Sequence, residues 1–93
     1  MASDNLTKLA PKIKAMAHHQ RLAILNYIQQ KRETNVSGIH KALKMEQSVT
    51  SQQLKVLRLA GLVIGKRAAK EIFYKVNNKE VNHVLDTLKG LLK

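Results

Sequence analysis

The chain is predicted to be mainly α-helical with one small β-hairpin, in the order four helices, two strands and a final helix, and three observations predict it. Apolar residues recur three and four apart through most of the chain, the mark of helices that bury one face. Two short runs rich in β-branched and aromatic residues, Leu62-Val63-Ile64 and Ile72-Phe73-Tyr74-Lys75-Val76, flank a basic stretch from Gly65 to Glu71, the mark of a hairpin. The length, 93 residues, suits a single domain over residues 1–93 with one core.

The first helix is read from Leu6, Leu9, Ile13 and Met16, which share one face, with Ser3 or Asp4 as its cap. Pro11 interrupts that stretch. Proline lacks a backbone donor and crowds the preceding turn, so the sequence predicts either a kink there or a helix that starts near Ala10 after a looser arm. A second helix is expected over about Gln20 to Gln30, where Leu22, Ile24, Leu25 and Ile28 make an apolar face, and the polar run from Gln29 to Asn35 reads as a loop. Asn35 caps a short third helix that turns Val36, Ile39, Ala42 and Leu43 inward. After a tight connection, a fourth helix from Glu46 to Ala60 carries Val49, Leu54, Val56, Leu57 and Leu59 as its apolar positions, and Gly61 stops it as a carboxyl cap. Beyond the hairpin, Asn77 with Glu80 three residues on resembles a capping box, opening a last helix on which Val81, Val84, Leu85, Leu88 and Leu92 repeat.

Composition narrows the partners. Seventeen Lys and Arg against six Asp and Glu give a formal net charge of +11, which points to a polyanion, nucleic acid first and an anionic membrane surface second. No stretch is long and apolar enough to span a bilayer, and no helix opposes its lysines to a broad apolar face. The start, Met1 to Asn5, has neither a basic region nor an apolar signal core, so a cytoplasmic location is expected. With no cysteine, the chain forms no disulfide, offers no thiolate to a metal and has no thiol to oxidise. An enzyme is not expected, because there is no Gly-rich phosphate loop, nucleophile motif, paired carboxylates in an apolar setting or metal triad. His18, His19, His40, His83 and Asp86 do not combine into three or four ligands at useful spacing, so neither a metal nor another cofactor is predicted.

The fourth helix carries the functional reading. Its first half holds Gln47, Ser48, Thr50, Ser51, Gln52 and Gln53, short or amide-bearing side chains that suit the major groove. Gln can pair with adenine through two hydrogen bonds, and Ser and Thr reach base edges or phosphates. Lys55 and Arg58 follow along the helix, and Lys66, Arg67 and Lys70 sit at the hairpin, where they would hold the phosphate backbone or reach a neighbouring minor groove. Between Lys41 and Lys79 there are nine basic residues and two acids, Glu46 and Glu71, so positive charge concentrates where reader helix and hairpin lie. This is the pattern of a winged helix-turn-helix, with double-stranded DNA as the expected partner.

Three stretches resemble one known family: Ala17-His18-His19-Gln20-Arg21-Leu22-Ala23-Ile24-Leu25, then the run from Gln47 to Val63, then Phe73-Tyr74-Lys75-Val76. The chain resembles the ArsR/SmtB family of bacterial repressors over nearly its whole length, most specifically from Leu54 to Val63. The resemblance implies a dimeric winged-helix repressor with the terminal helices at the dimer face. It also exposes departures. Many relatives have proline where His19 stands and an Arg-His pair where Gln52 and Gln53 stand, which alters the expected base readout. Metal-sensing relatives carry a Cys-x-Cys pair at the positions of Asn35 and Ser37, and a second type of site would fall on Asn78, Glu80 and Leu91, none of which matches its ligand pattern. Thiol sensing is excluded with the cysteines.

Two stripes, Leu6, Leu9, Ile13, Met16 and Val81, Leu85, Leu88, Leu92, offer more apolar surface than one small core needs, so a homodimer is expected, with two reader helices about one turn of DNA apart on an inverted-repeat operator. The alternative is that both stripes close the monomer's own core. A winged-helix protein-interaction module without sequence-specific DNA binding is the competing function. Such a module would carry an acidic or apolar reader helix, and this helix is neither. No effector is indicated by the residues.

Overall fold

Apolar side chains from every element meet in one cluster, and that cluster fixes how the elements lie. The computed structural model describes residues 2–91, with side chains from Thr7 onward. It comprises α1 (Ala2–Met16), α2 (His19–Lys31), α3 (Val36–Leu43), α4 (Gln47–Leu59), β1 (Val63–Ala68), β2 (Glu71–Val76) and α5 (Asn78–Leu91), so the element order expected from the sequence is the one found. Ile24 and Ile28 of α2, Ile39 of α3, Leu57 of α4, Val84 of α5 and Leu62 in the turn between α4 and β1 are completely buried in the cluster. Burying each of these stabilises the fold by roughly 1.5–3 kcal/mol.

α1 runs through Pro11 as one helix from Ala2 to Met16, so the helix does not start near Ala10 after a looser arm. Proline forgoes one backbone hydrogen bond there, but on an exposed position, while Leu9 and Met16 are buried and Ile13 packs against the same cluster on either side of it. That anchoring also answers where the first stripe goes. Leu9 is 4% exposed and Met16 9% exposed within the single chain, and Val81 and Leu88 of α5 pack against the same core. The argument that both stripes are left over for a partner therefore fails for Leu9 and Met16, while Ile13, Val81 and Leu88 are half-buried and keep part of their surface open. Leu85 remains open at 39% exposure, while Leu92 and the side chain of Leu6 lie outside the described residues.

The helix ends explain the turns. His18 sits in extended backbone and its Nδ1 accepts from the Gln20 backbone N–H at 3.2 Å, capping α2. Asn35 Oδ1 accepts from the Gly38 N–H at 2.8 Å, the cap expected for α3. Lys44, with φ +55, closes α3 and leads through a short turn into α4, which completes the helix-turn-helix. At the end of α4, the Gly61 N–H donates to Arg58 O and the Leu62 N–H to Leu57 O, the paired bonds of a Schellman stop, and Gly61 has the positive φ of 78° that this stop requires. Asn77 Oδ1 accepts from the Glu80 N–H at 3.4 Å, but the other half of the expected capping box is missing: the Asn77 N–H donates to Leu62 O and the Glu80 carboxylate pairs with Lys12.

β1 and β2 pair antiparallel from Val63↔Val76 to Ala68↔Glu71, leaving Ala69 and Lys70 as the turn. The strands are thus longer, and the tip shorter, than the sequence pattern implied. Thr34 adds a single bridge to Tyr74, donating at 3.1 Å and accepting at 2.7 Å, which ties the loop before α3 to the hairpin.

Candidate nucleic-acid interface

α4 turns Thr50, Leu54 and Leu57 into the core and leaves Gln47, Ser48, Ser51, Gln52, Lys55 and Arg58 exposed. Spacings of three and four place these six on one side of the helix. The exposed side is acid-free from Gln47 to the end of α4. Glu46, one residue earlier, makes no side-chain capping bond, and it is exposed.

Two residues chosen from the sequence do not belong to this face. Thr50 is fully buried, and its hydroxyl donates to Glu46 O at 2.9 Å, so it cannot reach a base edge. Gln53 is half-buried against α2: its Oε1 accepts from Arg21 Nη1 at 2.8 Å and its Nε2 donates to Gln20 Oε1 at 3.2 Å. Both were hidden inside a run of polar residues. Thr50, Leu54 and Leu57, at i, i+4 and i+7, were the only available sign that Thr50 points inward.

Arg21 is a positioning residue that the sequence reading missed. Its guanidinium donates to the carbonyls of Ala15 and Lys14, which end α1, and to Gln53 of α4. One side chain thereby satisfies orphan carbonyls at a helix end and fixes the roll of the reader helix.

The hairpin stands beside α4 and encloses a cleft of about 370 Å³, walled by Ser51, Lys55 and Arg58 on one side and by Arg67, Ile72 and Tyr74 on the other. Cross-strand partners share a face, so Arg67, opposite Ile72, faces the cleft, whereas Lys66, opposite Phe73, stands on the other face of the hairpin. A second hollow of about 380 Å³ runs along the other end of α4, bringing Gln47 and Ser51 near Asn35, Lys70 and Glu71. Glu71 is held there by Asn35, whose Nδ2 donates to Glu71 Oε1 at 3.2 Å. The two hollows thus bring Gln47, Ser51, Lys55 and Arg58 of α4 together with Arg67 and Lys70 of the hairpin, while Ser48 and Gln52 are exposed on the same side of α4, Lys66 stands on the outer face of the hairpin, and Thr50 and Gln53 are turned away.

The other titratable groups are placed elsewhere. His18 and His19 stack with ring centroids 5.1 Å apart. Partial desolvation, then the Arg21 guanidinium and then His19, hold the His18 imidazole below its ordinary value of 6.5, which keeps Nδ1 available as the cap acceptor. The residues at the family's metal positions do not fit a metal, because Asn35 caps α3, Asn78 Oδ1 accepts from Gln29, and Glu80 pairs with Lys12 at 3.7 Å. Among the described residues, no three His, Cys, Asp or Glu side chains come together. No helix among them is long and apolar enough to cross a membrane.

Comparison with known proteins decides the family. The model for bacterial regulatory proteins of the arsR family matches residues 18–64, from the cap of α2 into β1. The chain belongs to the arsR family. It is 37% identical over 84 residues to the HTH-type transcriptional regulator NmtR of Mycobacterium tuberculosis, covering 90% of this chain and 69% of that protein. It is 38% identical over 77 residues to the transcriptional repressor PagR of Bacillus anthracis, covering 82% of this chain and 76% of that protein. The structure of reduced HlyU from Vibrio cholerae superposes with a TM-score of 0.79 at 34% identity, covering 96% of this chain and 93% of that one. The homodimeric winged helix-turn-helix DNA-binding domain of Mb0332 from Mycobacterium bovis gives 0.78 at 27%, covering 97% and 82%. The arsR family is one of transcriptional regulators and not of enzymes, and its winged helix-turn-helix matches α3, α4 and the hairpin here.

Proposed function

We propose that this arsR-family protein is a sequence-specific repressor that binds double-stranded DNA as a homodimer, over an inverted-repeat operator, without metal or thiol sensing. The observation that carries this reading is the acid-free polar face of α4, set across a cleft from a basic hairpin. In it, Gln47, Ser48, Ser51 and Gln52 read base edges, while Lys55, Arg58, Arg67 and Lys70 hold phosphates beside the groove and Lys66 reaches phosphates on the outer side. PagR is a transcriptional repressor and the Mb0332 domain is homodimeric, and likeness to them supports the two finer points. Leu85 and Leu91, at 39% and 57% exposure, leave apolar surface on α5 that a partner copy would cover. Thiol sensing is excluded by a chain without cysteine. The whole of 1–93 acts as one DNA-binding domain.

Selection of bound duplexes from a random pool tests this. Enrichment of an inverted repeat with half-sites about one helical turn apart is the expected result. Recovery of sequences with no common motif would leave the protein-interaction reading in its place.

A further inference from the structure

Beside the proposed DNA face lies a groove that this function does not use. It runs between α1 and the carboxyl end of α4 and has a volume of about 390 Å³, in the range of small-molecule pockets. Pro11 and Ala15 form one wall, and Val56 and Leu59 form the other. Leu59 is 70% exposed, the most open large hydrophobic side chain among the described residues, and Val56 is 40% exposed. Neighbouring leucine and valine left this open mark a surface that gains from being covered.

The rim states what kind of molecule would cover it. The charged side chains lining the groove are Lys14 and Arg21, and no carboxylate lines it. Lys14 has no ion-pair partner among the described residues. Arg21 commits Nε and Nη1 to Ala15 and Gln53, whereas Nη2 makes only a long bond of 3.4 Å to Lys14 O at the exposed edge. An apolar trough that ends between an ammonium and a guanidinium edge is complementary to an aliphatic tail ending in an anion.

We propose that this groove binds an amphipathic organic anion, an aliphatic carboxylate whose tail lies on Pro11, Ala15, Val56 and Leu59 and whose carboxylate sits between Lys14 and Arg21. The site is mechanically joined to the reader helix. Lys12 Nζ donates to Ala60 O at 2.7 Å, which pins the two walls together, and Arg21 holds Gln53. An anion that recruits the guanidinium loosens its hold on Gln53 and adds negative charge beside the DNA face, so occupancy weakens duplex binding. That consequence rests on the DNA-binding reading, but the binding itself does not.

Amide chemical shifts of the full chain, titrated with sodium decanoate, test the two parts separately. Saturable shifts are expected on Lys12–Met16 and Val56–Gly61. Lys14→Gln should weaken decanoate about fivefold by removing one exposed charge contact, and Leu59→Asn about tenfold by removing apolar cover. Both side chains are exposed, so the variants should keep the fold, which their amide spectra report directly. The uncharged analogue 1-decanol should bind more weakly than decanoate. Absence of saturable shifts, shifts indifferent to both substitutions, or shifts centred on Leu85 and Leu91 would overturn the site. So would a lower sedimenting mass for ligand-free Leu59→Asn, because a second copy would then occupy the groove. Saturating decanoate should lower duplex affinity at least about fivefold. An unchanged affinity would refute the regulatory half, and a ligand-free protein that binds no duplex would refute the proposed function while the shift titration still decides the site.

Discussion

Gln52 and Gln53 are adjacent and chemically identical, yet the structure gives them opposite roles, and a pair of alanine substitutions separates those roles. Gln52 is exposed on the face proposed to enter the groove, whereas Gln53 is committed to Arg21 and Gln20. A side-chain amide paired bidentately with a base discriminates by about 1–3 kcal/mol, so Gln52→Ala should reduce preference at one base position by roughly 5- to 150-fold per half-site. It should leave folding stability nearly unchanged, as expected for an exposed substitution. Gln53→Ala removes an acceptor from a guanidinium. Hydrogen bonds to charged groups contribute about 1.5–3 kcal/mol, and partial exposure brings this one nearer to 1 kcal/mol. Gln53→Ala should therefore lower the urea midpoint and leave the ranking of operator variants intact. The assay is fluorescence anisotropy on the selected duplex and its single-base variants, beside urea denaturation of both proteins. Altered base ranking in Gln53→Ala at unchanged stability would refute the assignment of the two faces.

Two further outcomes follow from local geometry. Ala69, at φ +57 in the hairpin turn, holds a conformation that costs an L-residue about 1–2 kcal/mol, so Ala69→Gly should raise stability by about 0.5–1 kcal/mol once glycine's greater unfolded entropy is subtracted. Thermal denaturation should show Tm rising by about 2–8 °C, and a fall in Tm would contradict the reading of the turn. His18 caps α2 only while Nδ1 is unprotonated, and its imidazole is held below 6.5 in the fold. The unfolded chain then binds more protons than the folded one, so this contribution is complete above 6.5 and is lost as pH falls through 6.5 toward the lower folded value. Wild type should lose more urea midpoint than His18→Asn on going from about pH 7.5 to about pH 5.5, since Asn caps without titrating in that range. Parallel pH profiles would show that His18 does not act as the cap.

What could be read from the sequence was what local chemistry determines. Asn35 and Gly61 announce a helix start and a helix stop because a cap depends on only a few neighbouring backbone groups, and both act as expected. The apolar stripes of α1 and α5 announced burial correctly but not its partner, because a stripe on a helix has no way to indicate whether its own core or a second copy will cover it. Leu9 and Met16 turned out to be covered from within. The roll of α4 was obscured by a polar run in which inward and outward residues are chemically alike, so Thr50 and Gln53 were misread. Arg21 reaches Gln53 across 32 positions, and Thr34 meets Tyr74 across the domain, contacts that no periodicity encodes.

The claim on which the functional account depends is that the open side of α4 and the basic hairpin engage the phosphates of a duplex. The dependence of duplex affinity on salt tests it most directly. If the dimer neutralises six to ten phosphates, affinity should fall by about three to five orders of magnitude between roughly 50 and roughly 200 mM salt, and Arg67→Ala should make the logarithmic slope shallower by about one per subunit. An affinity that hardly changes over that range, or a slope untouched by Arg67→Ala, would contradict the account.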